Sequence, residues 1–316
     1  MEGRFIKHWL FNAMSLATAL LFSGAAIADF KSLENFGDNP GDLTASVYQS
    51  SVKSNELVLI LHGCTQNGEQ LAKKSGFYQL AQADNFNLLV PQQHSKNNIK
   101  DCFNWFSLKD ITRDSGELKS IVNMIKQVTK EYQKPRVFIV GLSAGGAMAT
   151  SLLSQYPSLF EAGAVIAGLP FPCADNLTKA ISCMRNGPSQ TPKELAELVV
   201  GINGDQKPRW PNITIWTGSN DQVVNPINSQ FLAKQWLLLM GLNVKPNVSH
   251  GSNYTRSLWI DSNKGKVELI ELENLGHGLP VNNEQKYGGE EGAFLLQSSL
   301  PSALEITKFW QLSGSK

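Results

Sequence analysis

Residues 137–147 read VFIVGLSAGGA, and they indicate more about the fold than any other part of the chain. An apolar run enters a Gly-x-Ser-x-Gly turn, and a run of small residues leaves it. This order is typical of a strained strand-to-helix turn that lifts a serine hydroxyl out of a sheet. Gly141 and Gly145 suit such a turn, because its backbone passes close to its neighbours. Ser143 is therefore the candidate nucleophile.

Short apolar runs alternate with amphipathic stretches along the rest of the chain. Runs of this length suit strands that are buried on both faces of a parallel sheet. The predicted strands are residues 57–61, 87–90, 136–140, 162–167, 213–216 and 267–272. The predicted helices are residues 117–131, 146–155, 229–239 and 302–312. This alternation predicts an α/β fold with a mostly parallel sheet and helices on both faces.

The first 28 residues are typical of a secretory signal peptide. Arg4 and Lys7 precede an apolar run, and an A-x-A sequence ends at Ala28. An uncleaved anchor is the alternative, but the apolar run is shorter than the ~20 residues that a membrane span needs. We expect residues 1–28 to be removed and residues 29–316 to form a single domain. The mature protein is then secreted, extracellular or periplasmic, without stable membrane insertion.

The net charge and the cysteine content of the chain indicate which partners, disulfides and metal sites to expect. The formal net charge of +1 gives no broad basic surface, so nucleic acid is not expected as a partner. The four cysteines all lie in the exported part, where disulfides are the default. Among the possible pairings we favour Cys64–Cys102, which would tie two loops near the serine. Cys173–Cys183 then closes a short loop. No metal site is expected, because the chain has neither Cys-x-x-Cys nor clustered histidines.

A serine hydroxyl needs a base that takes its proton, and a histidine is the usual choice. The chain has five histidines, His8, His62, His94, His250 and His277. The first lies in the signal segment, the second precedes the serine turn, and the next two are expected in polar loops. His277 follows the predicted strand 267–272 within a glycine-flanked loop, from which it could reach Ser143. A surface loop histidine is the alternative interpretation.

The acid that orients the histidine should follow a strand between the serine and the histidine. Residues 213–216 form such a strand, and its loop contains Asp221. Asp175 and Asp205 are weaker candidates, because they lie in an irregular stretch between strands. The resulting order Ser–Asp–His is that of α/β-hydrolases. A turn or capping role for Asp221 is the alternative.

Acyl transfer also needs N–H donors for a developing oxyanion. The N–H of Ala144, directly after the serine, is one expected donor. The second should come from a loop after an earlier strand, and residues 61–66 fit this position. We expect the Cys64 N–H to be this donor and His62 to shape the loop. A disulfide between Cys64 and Cys102 would hold the loop rigid.

Several of these segments together resemble the secreted short-chain poly(3-hydroxybutyrate) depolymerases and related esterases. The matching segments are residues 61–66, 102–106, 113–117, 141–148, 167–170, 224–226, 277–281 and 300–310. The resemblance implies a serine esterase of the α/β-hydrolase fold that acts on 3-hydroxyalkanoate esters. It implies Ser143, Asp221 and His277 as the catalytic triad, with the His62 loop at the oxyanion hole. No metal or organic cofactor is implied.

The substrate stays open at this point. Acetyl-xylan and feruloyl esterases are related to the same family, so polysaccharide-linked esters are an alternative. Many polymer-degrading members carry a linker and a separate polymer-binding domain, and the sequence to Lys316 contains neither. We therefore expect amorphous polymer, soluble oligomers or small esters as substrates. An alternative from another functional class is a catalytically inactive hydrolase fold that serves for binding.

Two tryptophans and one long segment are candidates for substrate contact. Trp105 and Trp210 offer large apolar surfaces on which a polyester could dock, with core packing as the alternative. Residues 171–209 lie between two predicted strands and are rich in Pro, Asn, Lys and Ser. This segment is expected to form either a lid over the site or a surface insertion.

Overall fold

A computed structural model describes residues 1–2, 29–204 and 208–312. Apart from its first two residues, the predicted signal peptide lies outside this part. The described strands are β1 (Lys31–Ser32), β2 (Thr44–Tyr48), β3 (Glu56–Leu61), β4 (Asn87–Gln92), β5 (Arg136–Leu142), β6 (Ala162–Ile166), β7 (Asn212–Gly218), β8 (Asn247–Gly251), β9 (Tyr254–Asp261), β10 (Gly265–Leu272), β11 (Leu279–Val281) and β12 (Leu295–Gln297).

Helices connect most of these strands. They are α1 (Gly68–Lys74), α2 (Phe77–Asp84), α3 (Leu108–Ile111), α4 (Gly116–Thr129), α5 (Ala144–Gln155), α6 (Leu177–Asn186), α7 (Pro192–Asn203), α8 (Ile227–Met240) and α9 (Ser302–Trp310). A short 3₁₀ turn, Pro157–Leu159, follows α5. Among the described residues, no helix combines the length and the apolar character that a membrane span requires.

Within the described residues, ten strands form one sheet in the order β1-β2-β4-β3-β5-β6-β7-β10-β9-β8. The six central strands, from β4 to β10, run parallel to one another. Both edges are antiparallel, with β1 and β2 at one edge and β8 and β9 at the other. The carboxyl ends of the parallel strands meet at one edge of the sheet, where sites form in open α/β folds.

The central strands are buried on both faces, which explains their continuous apolar runs. In β3, Leu57 and Leu59 pack into one core, and Val58 and Ile60 pack into the other. Helices α4, α5, α7 and α8 contribute to the first core, and α1, α2 and α9 contribute to the second. The helices therefore cover both faces of the sheet, as the sequence predicts.

The six predicted strands correspond to β3, β4, β5, β6, β7 and β10, and the α/β architecture is confirmed. The edge strands lack a comparable signal, because a strand with solvent-exposed faces needs no apolar run. Every residue of β8 is exposed, and His250, expected in a loop, lies on this strand. The segment 171–209 contains α6 and α7, and α7 packs against α5 and α8.

Gly145 allows α5 to begin directly beside β3. A Cβ at this position would lie 2.2 Å from the carbonyl oxygen of Leu61, and a backbone atom cannot easily give way. We expect Gly145→Ala to lower the free energy of unfolding by about 1–3 kcal/mol, measured by urea denaturation.

The matched control for this substitution is Gly201→Ala in α7, where an added Cβ would have nothing within 4 Å. Alanine is a better helix former, so the control should raise the free energy of unfolding by about 0.5–1 kcal/mol. Equal losses in the two variants would contradict the importance of the close approach at Gly145.

Candidate active site

Ser143 lies at the sharp turn from β5 into α5. Its backbone has φ 57° and ψ −116°, a conformation that a non-glycine residue rarely adopts and that is typical of strained functional turns. Its N–H donates to the carbonyl of Ile166 at 2.9 Å, which fixes the turn to β6. A Cβ on Gly141 would lie 2.1 Å from the carbonyl oxygen of Gly145, so the turn closes only around small residues.

Asp221 and His277 follow β7 and β10 and meet Ser143 at the carboxyl edge of the sheet. The Nδ1 atom of His277 lies 2.7 Å from Oδ2 of Asp221, and its Nε2 atom lies 2.8 Å from Oγ of Ser143. The side chain of Asp221 is fully buried, and that of His277 is 9% exposed. Because a carboxylate can only accept, Nδ1 donates to Asp221, and Nε2 of the neutral ring accepts from the serine hydroxyl.

The loops that carry the acid and the histidine are bonded to each other. The N–H groups of Val223 and Val224 donate to Oδ1 of Asp221 at 2.8 and 2.9 Å, so both carboxylate oxygens are engaged. The N–H of Asn220 donates to the carbonyl of Leu275 at 2.9 Å. The relative position of the acid and the histidine is therefore set by backbone hydrogen bonds.

The two weaker candidates for the triad acid, Asp175 and Asp205, are not found at this site among the described residues. Asp175 lies on the surface, where Lys179 donates to its carboxylate at 2.7 Å. Asp205 lies outside the described residues.

In the loop after β3, most backbone N–H groups donate a hydrogen bond to another described residue, and one does not. Gly63 donates to Oε1 of Gln66 at 2.7 Å, and Thr65 donates to the carbonyl of Lys100 at 2.7 Å. Gln66 donates to the carbonyl of Gly63 at 3.3 Å. Among the described residues, the N–H of Cys64 has no acceptor. One free donor thus lies among three that have acceptors, two of them within the loop and one at Lys100.

A second free donor lies at the start of α5. The first N–H groups of a helix have no partner within the helix, and the N–H of Ala144 accordingly bonds to no other described residue. The loop after β3 lies beside this point, since a Cβ on Gly63 would be 3.5 Å from Cβ of Ser143. The helix terminus also favours negative charge.

His62 supports the loop from inside the protein. Its ring is fully buried; Nδ1 lies 2.7 Å from the carbonyl of Gly63, and Nε2 accepts from the N–H of Gln93 at 3.1 Å. Burial lowers the pKa of His62, so the ring is neutral, with its proton on Nδ1. The ring also packs against Phe103 with 4.9 Å between the ring centres.

Two disulfides, Cys64–Cys102 and Cys173–Cys183, join the four cysteines in the pairs that the sequence favours. The first links the loop after β3 to the segment that contains Phe103. The second links the start of the segment 171–209 to α6. A covalent bond therefore restrains each of these two segments beside the site.

A cavity of about 350 Å³ opens beside the serine hydroxyl. Its lining residues are Gly63, Cys64, Thr65, Gln66, Lys100, Cys102, Leu142, Ser143, Met184, Val223, His277 and Phe294. Met184, Val223 and Phe294 have no signal in the sequence, because they come from three segments that only the fold brings together. The wall is mainly apolar.

The structure corrects the expectation for the two tryptophans. Trp105 is 7% exposed and Trp210 is 9% exposed, and both pack in the core. Trp105 contacts Phe106, and Trp210 contacts Trp236, in edge-to-face arrangements. Neither tryptophan lines the cavity at Ser143.

Glu117, at the start of α4, organises the segment behind the loop after β3. Its carboxylate accepts from the N–H and the side-chain amide of Asn104 at 2.8 and 2.7 Å, and from the amide of Gln93 at 2.6 Å. Burial raises the pKa of Glu117 from 4.5 to about 8, although these hydrogen bonds act in the opposite direction.

This raised pKa makes a testable difference to stability. The folded protein holds the Glu117 proton more tightly than the unfolded chain, so the contribution to stability is full below the unfolded pKa and declines as pH rises towards the folded pKa. In urea unfolding, the stability of the wild type relative to Glu117→Gln should therefore fall between about pH 5 and about pH 8. A relative stability that grows with pH would mean that the hydrogen bonds outweigh burial.

The strand order and the serine turn define an α/β-hydrolase. Acetyl xylan esterase from Aspergillus awamori has the same fold, with a TM-score of 0.75 and 21% identity over 90% of this chain and 100% of the other. The chain belongs to the esterase PHB depolymerase family, whose family model matches residues 47–253.

Curated relatives agree with this assignment. Poly(3-hydroxyalkanoate) depolymerase C from Paucimonas lemoignei is 34% identical over 304 residues, which cover 93% of this chain and 73% of that protein. Feruloyl esterase B from Talaromyces stipitatus is 26% identical over 280 residues, covering 84% and 77%. The resemblance found in the sequence is confirmed, and the chain is a carboxylic ester hydrolase.

Proposed function

We propose that this protein is a secreted serine esterase that hydrolyses the ester bonds of poly(3-hydroxybutyrate) or its oligomers. The observation that carries the proposal is the hydrogen-bonded line from Asp221 through His277 to Ser143, beside a mainly apolar cavity. The 34% identity to a poly(3-hydroxyalkanoate) depolymerase over nearly the whole chain supports the polyester as substrate.

The first half of the reaction forms an acyl-enzyme. Oγ of Ser143 attacks the ester carbonyl while Nε2 of His277 takes its proton, and Asp221 stabilises the imidazolium that forms. The carbonyl oxygen becomes an oxyanion, which accepts from the free N–H groups of Cys64 and Ala144. His277 then returns the proton to the leaving alkoxide, the ester C–O bond breaks, and the acyl group stays on the serine.

The second half releases the acid. Water enters from the cavity, His277 takes one of its protons, and the hydroxide attacks the acyl carbon through a second tetrahedral intermediate. When this intermediate collapses, the bond to Oγ of Ser143 breaks and the serine regains a proton from His277. The burial of Asp221 keeps water away from the carboxylate, so its hydrogen bond to the ring is not exchanged for one to solvent.

Export of the protein is supported by its disulfides. All four cysteines are paired, and disulfides persist mainly in oxidising compartments outside the cytosol. The Cys64–Cys102 pair has a clear use in the mechanism, because it restrains the loop that supplies one oxyanion donor.

The direct test compares three substrate classes with the wild type and Ser143→Ala. Release of acid is measured from a soluble 3-hydroxybutyrate trimer, from amorphous polymer particles, and from feruloylated and acetylated sugars. We expect activity on the first two, with a loss of about 10⁴-fold or more in the alanine variant, because it lacks the nucleophile.

Circular dichroism of Ser143→Ala should match the wild type, which separates lost chemistry from lost folding. Turnover that persists in this variant would refute the assigned nucleophile. Activity on the sugar esters alone would retain the serine esterase and move the substrate to polysaccharide-linked acyl groups, as in the related feruloyl esterase.

A further inference from the structure

The cavity beside Ser143 is small compared with a polymer. Its volume of about 350 Å³ holds only a few ester units, so most of a chain in a solid particle must rest on the surface around it. Val223 and Phe294, at its wall, are already 43% and 39% exposed, which makes the mouth apolar. A soluble oligomer needs nothing more, whereas a solid substrate needs a surface that continues from this mouth.

Helix α6 continues the apolar surface away from the cavity. Leu177, Ile181 and Met184 occupy positions i, i+4 and i+7, which lie within about 60° of one another around the helix and span about 10 Å along it. Met184 lines the cavity. Leu177 and Ile181 are 57% and 44% exposed, although they are large aliphatic side chains. These three residues form the α6 apolar face.

The exposure of the α6 apolar face is not a by-product of packing. Another side of the helix carries Ala180 and Cys183, which are buried and attach the helix to the core. The helix could therefore satisfy its packing with a polar residue at positions 177 and 181. Contiguous exposed apolar side chains next to a site are typical of surfaces that bind something.

The face is held rigidly against the candidate catalytic loop. The N–H of Asn225, in the loop after Asp221, donates to the carbonyl of Met184 at 2.8 Å. The side-chain amide of Asn228 donates to the carbonyl of Cys183 at 2.9 Å, and Cys183 is also bonded to Cys173. A surface that must present an ester bond to Ser143 needs this fixed geometry.

The polar groups beside the face match an uncharged polyester. Such a polymer offers carbonyl oxygens, which only accept hydrogen bonds, and methyl and methylene groups. Thr178 and Arg185 lie next to the apolar positions around the helix and carry donors; Arg185 forms no ion pair among the described residues. Helix α6 itself contains no acidic residue, and Asp175, which precedes it, is paired with Lys179.

We infer that the α6 apolar face docks the surface of a solid polyester beside the catalytic cavity, an inference that rests on the proposed polyester substrate. The occupant is the polymer itself, because the face is continuous with the cavity wall through Met184 and has donors but no unpaired carboxylate. The protein would thereby adsorb to amorphous polymer through its catalytic domain.

The test uses Leu177→Gln/Ile181→Gln, with Val248→Gln/Ile260→Gln as the matched control. The control residues are aliphatic and 47% and 58% exposed, but they lie on β8 and β9, and Ile260 pairs with Lys266 at the amino end of β10, away from the carboxyl edge that carries the site. Both pairs are placed in a Ser143→Ala background, and depletion from suspensions of amorphous poly(3-hydroxybutyrate) gives the affinity. We expect the α6 pair to weaken adsorption about tenfold and the control pair to leave it unchanged, because only the first pair loses buried apolar contact.

The same substitutions with Ser143 intact separate docking from chemistry. Hydrolysis of the soluble trimer and of an aryl butyrate should be unchanged, since neither Leu177 nor Ile181 lines the cavity, while release from particles should fall about tenfold. Equal adsorption by both pairs, or a wild type that does not adsorb, would overturn the docking face.

Three outcomes would count against the inference in ways that are distinct from one another. A wild-type dimer in sedimentation that Leu177→Gln/Ile181→Gln converts to a monomer would assign the face to a second copy. Cleavage of the aryl ester without release of acid from trimer or particles would refute the polyester substrate, and the docking face with it. Cleavage of the trimer by a protein that does not adsorb would refute the docking face alone.

Discussion

The close approach of three backbone segments around Gly141 and Gly145 is the constraint on which the rest of the site depends. A side chain on Gly141 would meet the start of α5, and one on Gly145 would meet the end of β3. Because both are glycines, α5 can begin directly over the sheet, and Ser143 is held in its strained conformation. The same contact puts the free N–H of Ala144 beside the loop after β3.

Hydrogen bonds between loops then position the other two residues of the site relative to this turn. β5, β7 and β10 are separated in sequence but end at the same edge, so Ser143, Asp221 and His277 meet there. A backbone hydrogen bond joins the acid loop to the histidine loop, and backbone N–H groups of the acid loop orient the carboxylate of Asp221. Buried His62 and the Cys64–Cys102 bond hold the loop after β3 from the opposite side. The site is therefore preorganised on rigid elements, which is where electrostatic stabilisation is most effective.

The segment 171–209 contributes to the wall of the cavity. Its helix α6 supplies Met184 to this wall, and hydrogen bonds from Asn225 and Asn228 attach the helix to the acid loop and to the start of α8. Trp105 and Trp210, in contrast, fill the core. Met184 on this helix, Val223 in the acid loop and Phe294 in a turn, rather than the two tryptophans, thus form the apolar surroundings of the serine.

The sequence by itself determined the central strands, the serine turn, the order of the three candidate catalytic residues and the favoured disulfide pairs. It could do so because burial on both faces demands continuous apolar runs, and a tight turn demands glycine at set positions. Only the tertiary structure decided the edge strands, the burial of the tryptophans and the apolar wall from Met184, Val223 and Phe294. Exposed strands show no hydrophobic periodicity in the sequence. The sequence also does not distinguish a tryptophan in the core from one in a groove. Cavity walls are built from distant segments whose proximity is a property of the packed fold.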